Sequence, residues 1–338
     1  MVPLPPTLSR FLSRYAMAVD AFISDHVRGM PEQLYAAGLH LIRAGGKRLR
    51  PAVVLLFARA LGGVESEHRA VPLAAAVELF HNFTLIHDDI MDEDETRRGV
   101  PTTHVVYGRD MAILAGDLLH AEAFRAVYRG LEYGLEPEVV AKAAGVLAWA
   151  AKRVSEGQAL DMAFEGRWDV TVKDYLDMIY LKTGALIEAS AALGSLAAMG
   201  DEGYVEAARQ YGRLVGVAFQ IRDDYLGVYG DPAKTGKPVY SDLRRGKKTI
   251  LVLHALQALP RERAERLRSI LGNPAASEEE LAEAAELIRE SGAVEYAMGL
   301  AREMAENAQR LLDDLPVDDS TAAEALRELA LFSVERER

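Results

Sequence analysis

The sequence predicts an all-α fold, and three observations carry that prediction. Apolar residues recur at spacings of three and four, as in Val294, Ala297, Ala301, Met304, Ala308 and Leu311, the period of a helix with one buried face. Sustained period-two alternation of valine, isoleucine and threonine, the mark of a half-buried strand, is not found. Segments 71–90, 111–128, 140–151 and 183–200 are rich in alanine and leucine with little charge on any face, which predicts helices buried all round. No fixed-period repeat is present, and the Pro/Gly-rich run at 227–242 is too short to separate two bodies. A single domain across residues 1–338 is therefore expected.

Half of the 338 residues are apolar, enough to bury a sizeable core. With 39 basic against 51 acidic residues the net charge is −12, which argues against nucleic acid or an anionic membrane as a general partner. There is no cysteine, so disulfides, thiolate metal ligands and a cysteine nucleophile are excluded together. The opening MVPLPPTLSRFLSRYAMAVD lacks a basic region followed by an unbroken apolar one. No secretory signal is read, and the cytoplasm is the expected compartment. The uncharged stretch at 189–200 falls short of the roughly 20 residues a membrane span needs, so no stable membrane insertion is expected.

Taken in order, the first charged motif is GGKRLRP at 45–51, which places Lys47, Arg48 and Arg50 after Gly45 and Gly46. Arginine forks grip phosphate oxygens in pairs and lysine adds a mobile charge, so the motif suits a phosphate clamp. Next comes LIHDDIMDEDETRRG at 85–99, with six carboxylates in the eight positions 88–95. On a helix Asp88 and Asp92 share a face and Asp89 lies about 100° round from Asp88. Such charges repel one another and oppose the dipole at a helix C-terminus, so a cation must neutralise them. Oxygen ligands on adjacent turns suit Mg²⁺, which completes its shell with water and phosphate oxygens. A calcium loop begun at Asp92 fails, with Arg97 at its glycine position and Thr103 at its glutamate position. His81, seven residues before Asp88, lies near the same face; a lone histidine there is ordinarily a satisfied buried group.

Later motifs repeat the theme. FQIRDD at 219–224 supplies a second adjacent pair, Asp223 and Asp224, able to face the first cluster across a bundle. Lys182 with Thr183, Lys237, and GKKT with Lys247, Lys248 and Thr249 are further phosphate candidates. Gly46-Lys47 precedes arginine and Gly236-Lys237 precedes Pro238, so neither is a nucleotide P-loop. Each charged cluster alone is ordinarily solvated surface; two matching acidic pairs make coincidence a poor explanation. From Pro260 onward charged amphipathic helices are expected to cover the core, with capping boxes at Ser277/Glu280 and Thr321/Glu324.

GGKRLRP, LIHDDIMDEDETRRG, KTG and FQIRDD, in this order between 45 and 249, resemble the trans-prenyltransferase (isoprenyl diphosphate synthase) family, in particular its archaeal-type geranylgeranyl diphosphate synthases. The resemblance implies the isoprenoid synthase type of fold, buried helices around a central cavity, and a homodimer. It implies that Asp88, Asp92 and Asp223 hold more than one Mg²⁺, with Asp89, Asp224 and Lys182 completing the catalytic set. The ions pull the diphosphate from an allylic substrate, and isopentenyl diphosphate attacks the resulting cation. Gly46, Lys47, Arg50, His81 and Arg98 match positions around isopentenyl diphosphate; Arg97, Lys182, Thr183, Gln220, Lys237 and Lys247 match those around the allylic diphosphate.

In the family an aromatic residue five positions before an uninterrupted first motif goes with C20 products, and Phe83 stands five before Asp88. That implies geranylgeranyl diphosphate, with a C25 product as the alternative. On an ideal helix Phe83 lies about 140° from Asp88, Thr84 about 40° and Phe80 about 80°, so geometry nominates Phe80 and Thr84 as well. The chain departs from the family at Gly227, where the second motif lacks its fifth-position aspartate, and in the mixed-charge tail VERER, so nothing is assigned to Arg336 or Arg338. A catalytically silent partner subunit is expected to lose one cluster, and a class I terpene cyclase needs one diphosphate site; this chain keeps both clusters.

Overall fold

The structure is a computed structural model that describes residues 4–198, 200–231 and 239–336. It is all-helical apart from one two-stranded ribbon. The helices are α1 (Pro6–His26), α2 (Glu32–Gly38), α3 (His40–Arg43), α4 (Leu49–Arg69), α5 (Val71–Met91), α6 (Thr103–Tyr107), α7 (Arg109–Arg129), α8 (Pro137–Phe164), α9 (Val172–Ile179), α10 (Ala185–Ala198) and α11 (Glu202–Tyr229). Beyond α11 come Ser241–Arg244, Ile250–Ala258, Arg261–Ile270, Glu278–Glu290, Ala293–Leu311 and Ser320–Glu335. No helix among the described residues is long and apolar enough to cross a membrane.

The ribbon pairs β1 (Thr96–Arg97) with β2 (Val100–Pro101) in antiparallel register. Arg98 and Gly99 between them both take positive φ, 54° and 77°, the two-residue turn whose twist matches antiparallel strands.

Residues 185–197 of α10 are buried without exception, as an alanine- and leucine-rich helix with no polar stripe must be. It lies against α4, α8 and α11. One apolar cluster gathers α1, α4, α5, α7, α8, α10 and the first half of α11, including Tyr211 and Val215. A second gathers Val217, Ile221 and Val228 of α11 with Ile250–Ala258, Glu278–Glu290 and Ala293–Leu311. α11 thus runs from one cluster into the other, and Asp223 stands on its second half.

Two expectations need correcting. Segments 111–128 and 140–151 are not buried all round: Ile113 and Leu114 on α7, and Lys142, Gly145 and Ala148 on α8, are exposed. α7 packs chiefly on α5, and an apolar composition does not reveal whether the opposite face is covered. The capping box at Ser277/Glu280 is present, but Thr321 is not a cap. Asp319 accepts from the Thr321 and Ala322 amides, starting that helix two residues earlier, and its carboxylate also takes Arg59 Nε at 2.6 Å.

Candidate active site

The first acidic cluster sits where α5 stops. Asp92 caps the helix, Glu93 turns left-handed at φ 55°, and the Asp94 amide reaches back to the Asp89 carbonyl at 3.0 Å, the pattern of a Schellman ending. Cations from other elements surround it. Lys182 Nζ lies 3.5 Å from Asp88 Oδ1 and 2.6 Å from Asp161 Oδ2 on α8. Arg245 Nη1 lies 3.4 Å from Asp92 Oδ2, and its Nη2 pairs with Asp94. Burial pushes the Asp92 carboxyl up, Asp88 adds to that, and Lys247, Lys182 and Arg245 pull it back.

Asp89 faces away from this pair, as the 100° step requires. It is buried, takes Arg97 Nε at 2.5 Å on Oδ1, and leaves Oδ2 without a hydrogen-bond partner. Burial outweighs Arg97 and pushes its carboxyl up to about 6. Arg97 therefore braces the end of α5 from the ribbon.

Lys182 and Thr183 belong to a single π-helical turn, Tyr180–Gly184, between α9 and α10, a feature that re-aims side chains locally and often marks functional sites. Thr183 Oγ1 donates to Gln220 Oε1 at 2.9 Å, and Gln220 Nε2 donates to Asp224 Oδ1 at 2.9 Å. Tyr175 donates to the other oxygen of Asp224. Asp224 is thus buried and bonded on both oxygens, and burial, with Asp242 adding, pushes it up to about 7. Asp223 points elsewhere, half-exposed and paired with Arg336 at the end of the last helix. The Arg336 guanidinium lies 3.7 Å from the Phe219 ring centre, and its backbone oxygen accepts from Arg222 Nε at 2.8 Å.

A basic group lies beside Asp223. Arg50 Nη1 donates to His81 Nε2 at 3.1 Å, which leaves the imidazole proton on Nδ1. Burial, then the charges of Arg50 and Arg98, keep His81 neutral. Burial pushes the Arg50 guanidinium down to about 10 although Glu78 and Asp223 pull it up. The Nε atoms of Arg50 and Arg336 are buried without a hydrogen-bond partner. Arg98 Nη1 donates to the Leu41 and Gly45 carbonyls at 2.8 and 2.5 Å, with Gly46 against its guanidinium. Lys47 is exposed on the rim, 5.7 Å from the Phe332 ring centre.

Arg48 is not part of a phosphate clamp. It is buried and bonded to Asp20, Glu78 and the carbonyls of Ile42 and Gly45; its φ of 50° turns the side chain inward. Lys248 is likewise internal, donating to the Gly246 carbonyl at 2.9 Å and lying 4.0 Å from the Trp168 ring centre. Lys247 is close enough to both acidic pairs to hold down Asp92 and Asp224. Lys237 lies outside the described residues.

Phe80 and Phe83 share one aromatic group between α5 and α7. Their rings are 5.3 Å apart, and both meet His120, at 5.8 and 4.9 Å. Phe83 also meets His87 at 4.9 Å, and His120 meets Phe124 at 5.4 Å. Thr84 is half-buried and spends its hydroxyl on the His81 carbonyl at 2.7 Å.

The sequence reading missed Asp161, Arg245, Asp242, Tyr175 and Arg336. Only Asp161 carried a usable signal, being an acid flanked by the apolar residues Ala159, Leu160, Met162 and Ala163 on α8. Among the described residues no three His, Asp or Glu side chains converge into a ready-made metal cage. Oxygen donors presented one or two per helix, each already facing cations, nevertheless fit Mg²⁺, which retains waters and takes phosphate oxygens.

The sequence profile of the polyprenyl synthetase family matches residues 31–288. The geranylfarnesyl diphosphate synthase of Aeropyrum pernix is 52% identical over 320 residues, which cover 95% of this chain and 99% of that protein. Among solved structures, the geranylgeranyl pyrophosphate synthetase of Pyrococcus horikoshii superimposes with TM-score 0.90 at 42% identity, covering 98% of both chains. The geranylgeranyl pyrophosphate synthase of Corynebacterium glutamicum, solved with isoprenyl diphosphate and magnesium, superimposes with TM-score 0.83 at 32% identity over 99% of this chain and 100% of that one.

Proposed function

This chain belongs to the polyprenyl synthetase family, and from that premise we propose that it joins isopentenyl diphosphate head to tail to an allylic diphosphate, with geranylgeranyl diphosphate as product. The observation that carries the reading is the pairing of two carboxylate groups, Asp88/Asp92 and Asp223, with a separate basic group around Arg50. One anion site bridged through divalent cations and one bound by cations of the protein itself suit two diphosphates.

Asp88, Asp92 and Asp223 would hold Mg²⁺, more than one ion per site, and the metal would supply charge neutralisation for the departing allylic diphosphate. Lys182 and Lys247 add fixed positive charge at that same place. Preorganised charge aimed where charge develops lowers a barrier without reorganisation. Asp161 orients Lys182, and the Thr183–Gln220–Asp224–Tyr175 chain of hydrogen bonds fixes the π turn against α11. Lys47, Arg50 and Arg98 bind the other diphosphate, with the unpartnered Arg50 Nε as a ready donor and neutral His81 turning Arg50 toward it. The apolar faces of α5 and α7 exclude water, which would quench an allylic cation. No side chain need act as nucleophile.

Phe80 and Phe83 support a C20 product, because two rings meeting edge to face close the space between α5 and α7. A C25 product is the second reading, favoured by the name of the Aeropyrum pernix relative. We further propose that residues 1–338 act as one unit and that two copies associate through the exposed apolar residues Val105, Val106, Ile113 and Leu114. Incubating the purified protein with Mg²⁺, isopentenyl diphosphate and each of the C5, C10 and C15 starters, then sizing the products, tests the reaction and length. Sedimentation velocity tests the dimer. Absence of any longer diphosphate contradicts the reaction, and a C25 end point replaces the C20 assignment.

A further inference from the structure

Lys182 and Thr183 enter the site from the π turn Tyr180–Gly184, a geometry that is the exception within helices and depends on contacts that hold it wound. A set of side chains outside the site bridges this turn from end to end. Tyr180, its first residue, donates to Glu188 Oε2 at 2.8 Å, eight residues on and in the first turn of α10. The bond therefore crosses all of 181–184. Burial, then the bond to Glu188, pushes the Tyr180 hydroxyl up to about 12, so it remains a donor.

Arg213 of α11 joins the same pair. Its Nε donates to Glu188 Oε2 at 3.2 Å, its Nη2 donates to the Tyr180 hydroxyl at 3.1 Å, and its guanidinium lies 4.7 Å from the Tyr180 ring centre. The other oxygen, Glu188 Oε1, accepts from Arg209 Nη1 at 3.2 Å, and Arg209 lies 5.2 Å from the Trp149 ring centre on α8. The Glu188 side chain is only 2% exposed. Desolvation offsets most of what such a buried ion pair gains over apolar packing, so its contribution lies in the direction of its bonds. The backbone beneath is held as closely: a Cβ on Gly216 would lie 2.6 Å from Gly184 Cα, and one on Gly212 would lie 2.6 Å from Glu188 Cα. The end of the turn and Glu188 thus rest directly on α11, and the Tyr180 hydroxyl ties the start of the turn to them.

We propose that Tyr180, Glu188 and Arg213 are positioning residues, a strap that holds the π turn wound and thereby keeps Lys182 aimed at the allylic diphosphate. This deepens the two-diphosphate reading above and rests on it.

The test is calorimetric binding of farnesyl thiolodiphosphate, an allylic analogue whose sulfur bridge resists ionisation, to the whole protein with Mg²⁺. Tyr180→Phe removes one hydroxyl, keeps the ring beside Arg213, and weakens binding about five- to tenfold, the scale of one net hydrogen bond. KM for isopentenyl diphosphate, assigned to the group around Arg50, keeps its wild-type value. Lys182→Met weakens binding in its own right, and adding Tyr180→Phe weakens it no further, because the strap acts through the lysine. A change that only loosened the fold would weaken binding in both backgrounds. Wild-type affinity in Tyr180→Phe overturns the proposal, as does an undiminished loss in the Lys182→Met background or an equal rise in KM for isopentenyl diphosphate. Arg213→Met, at a half-exposed side chain, decides by the same comparisons if Tyr180→Phe does not fold. If the wild-type protein itself binds no thiolodiphosphate, the diphosphate reading fails and the role of the strap falls with it.

Discussion

Arg336, at the end of the last described helix, is ion-paired with Asp223 of α11. The guanidinium is buried against Phe219, whereas the carboxylate is half-exposed. A cation of the chain therefore occupies one oxygen of a carboxylate that the metal-dependent reading gives to Mg²⁺, and the tail competes with a metal bound there.

Replacing Arg336 with alanine removes that competitor. A half-exposed ion pair contributes up to about 1 kcal/mol, so the Mg²⁺ dissociation constant should fall about two- to fivefold. Titration calorimetry without diphosphate measures it. An unchanged or weaker constant contradicts the competition.

Lys47 and Arg48 are neighbours with opposite roles. Lys47→Ala should raise KM for isopentenyl diphosphate more than KM for the allylic partner and leave the unfolding temperature unchanged. Arg48→Ala strands Glu78 as a buried charge and should cost about 3–5 kcal/mol of stability. Steady-state kinetics and urea unfolding separate the two. Equal KM effects from Lys47→Ala would remove the division into two diphosphate sites.

Phe83→Ala should lengthen the product by at least one isoprene unit, and Phe80→Ala should add to it, because the two rings form one barrier with His120. Phe80 is only 1% exposed, so its truncation should also cost about 3–5 kcal/mol. Chromatography of the dephosphorylated alcohols gives the lengths. No change in either variant would place the barrier on other helices.

Buried Asp224, surrounded by Tyr175, Gln220, Asp242 and Lys247, holds its proton up to about 7. Its folded value is raised above the unfolded one, so folding takes up a proton and this group's contribution to stability falls as pH rises from about 4 to about 7. The slope is about 1.4 kcal/mol per pH unit. Asp224→Asn lacks this titration, so in metal-free buffer the variant should gain on wild type across that window. Urea unfolding at several pH values reads the difference, and a constant difference would contradict the raised value.

Residues spaced within one helix were legible from the sequence. Asp88 and Asp92 declared a shared face by their spacing of four, and Ser277 declared a cap by its glutamate three residues on. The partners that complete the site were not legible, because they meet through packing. Lys182 finds Asp161 twenty-one residues back on another helix, and Asp92 finds Arg245 across the bundle. Charge pattern also cannot distinguish Arg48 from Arg50, since one backbone rotation to positive φ sends the first inward. Thr321 fits a capping spacing, yet Asp319 takes the cap because it can also engage Arg59. The open side of α7 escaped notice for a related reason: periodicity records which residues are apolar, not whether anything covers them.

The most direct test of the two-cluster mechanism is incorporation of radiolabelled isopentenyl diphosphate into extended product by wild type, Asp88→Ala and Asp223→Ala at saturating Mg²⁺, with thermal unfolding of each. Both carboxylates reach solvent and belong to no apolar cluster, so folding should persist while incorporation falls to background in each variant. Near wild-type incorporation by either folded variant would contradict the assignment of a metal-binding role to that aspartate.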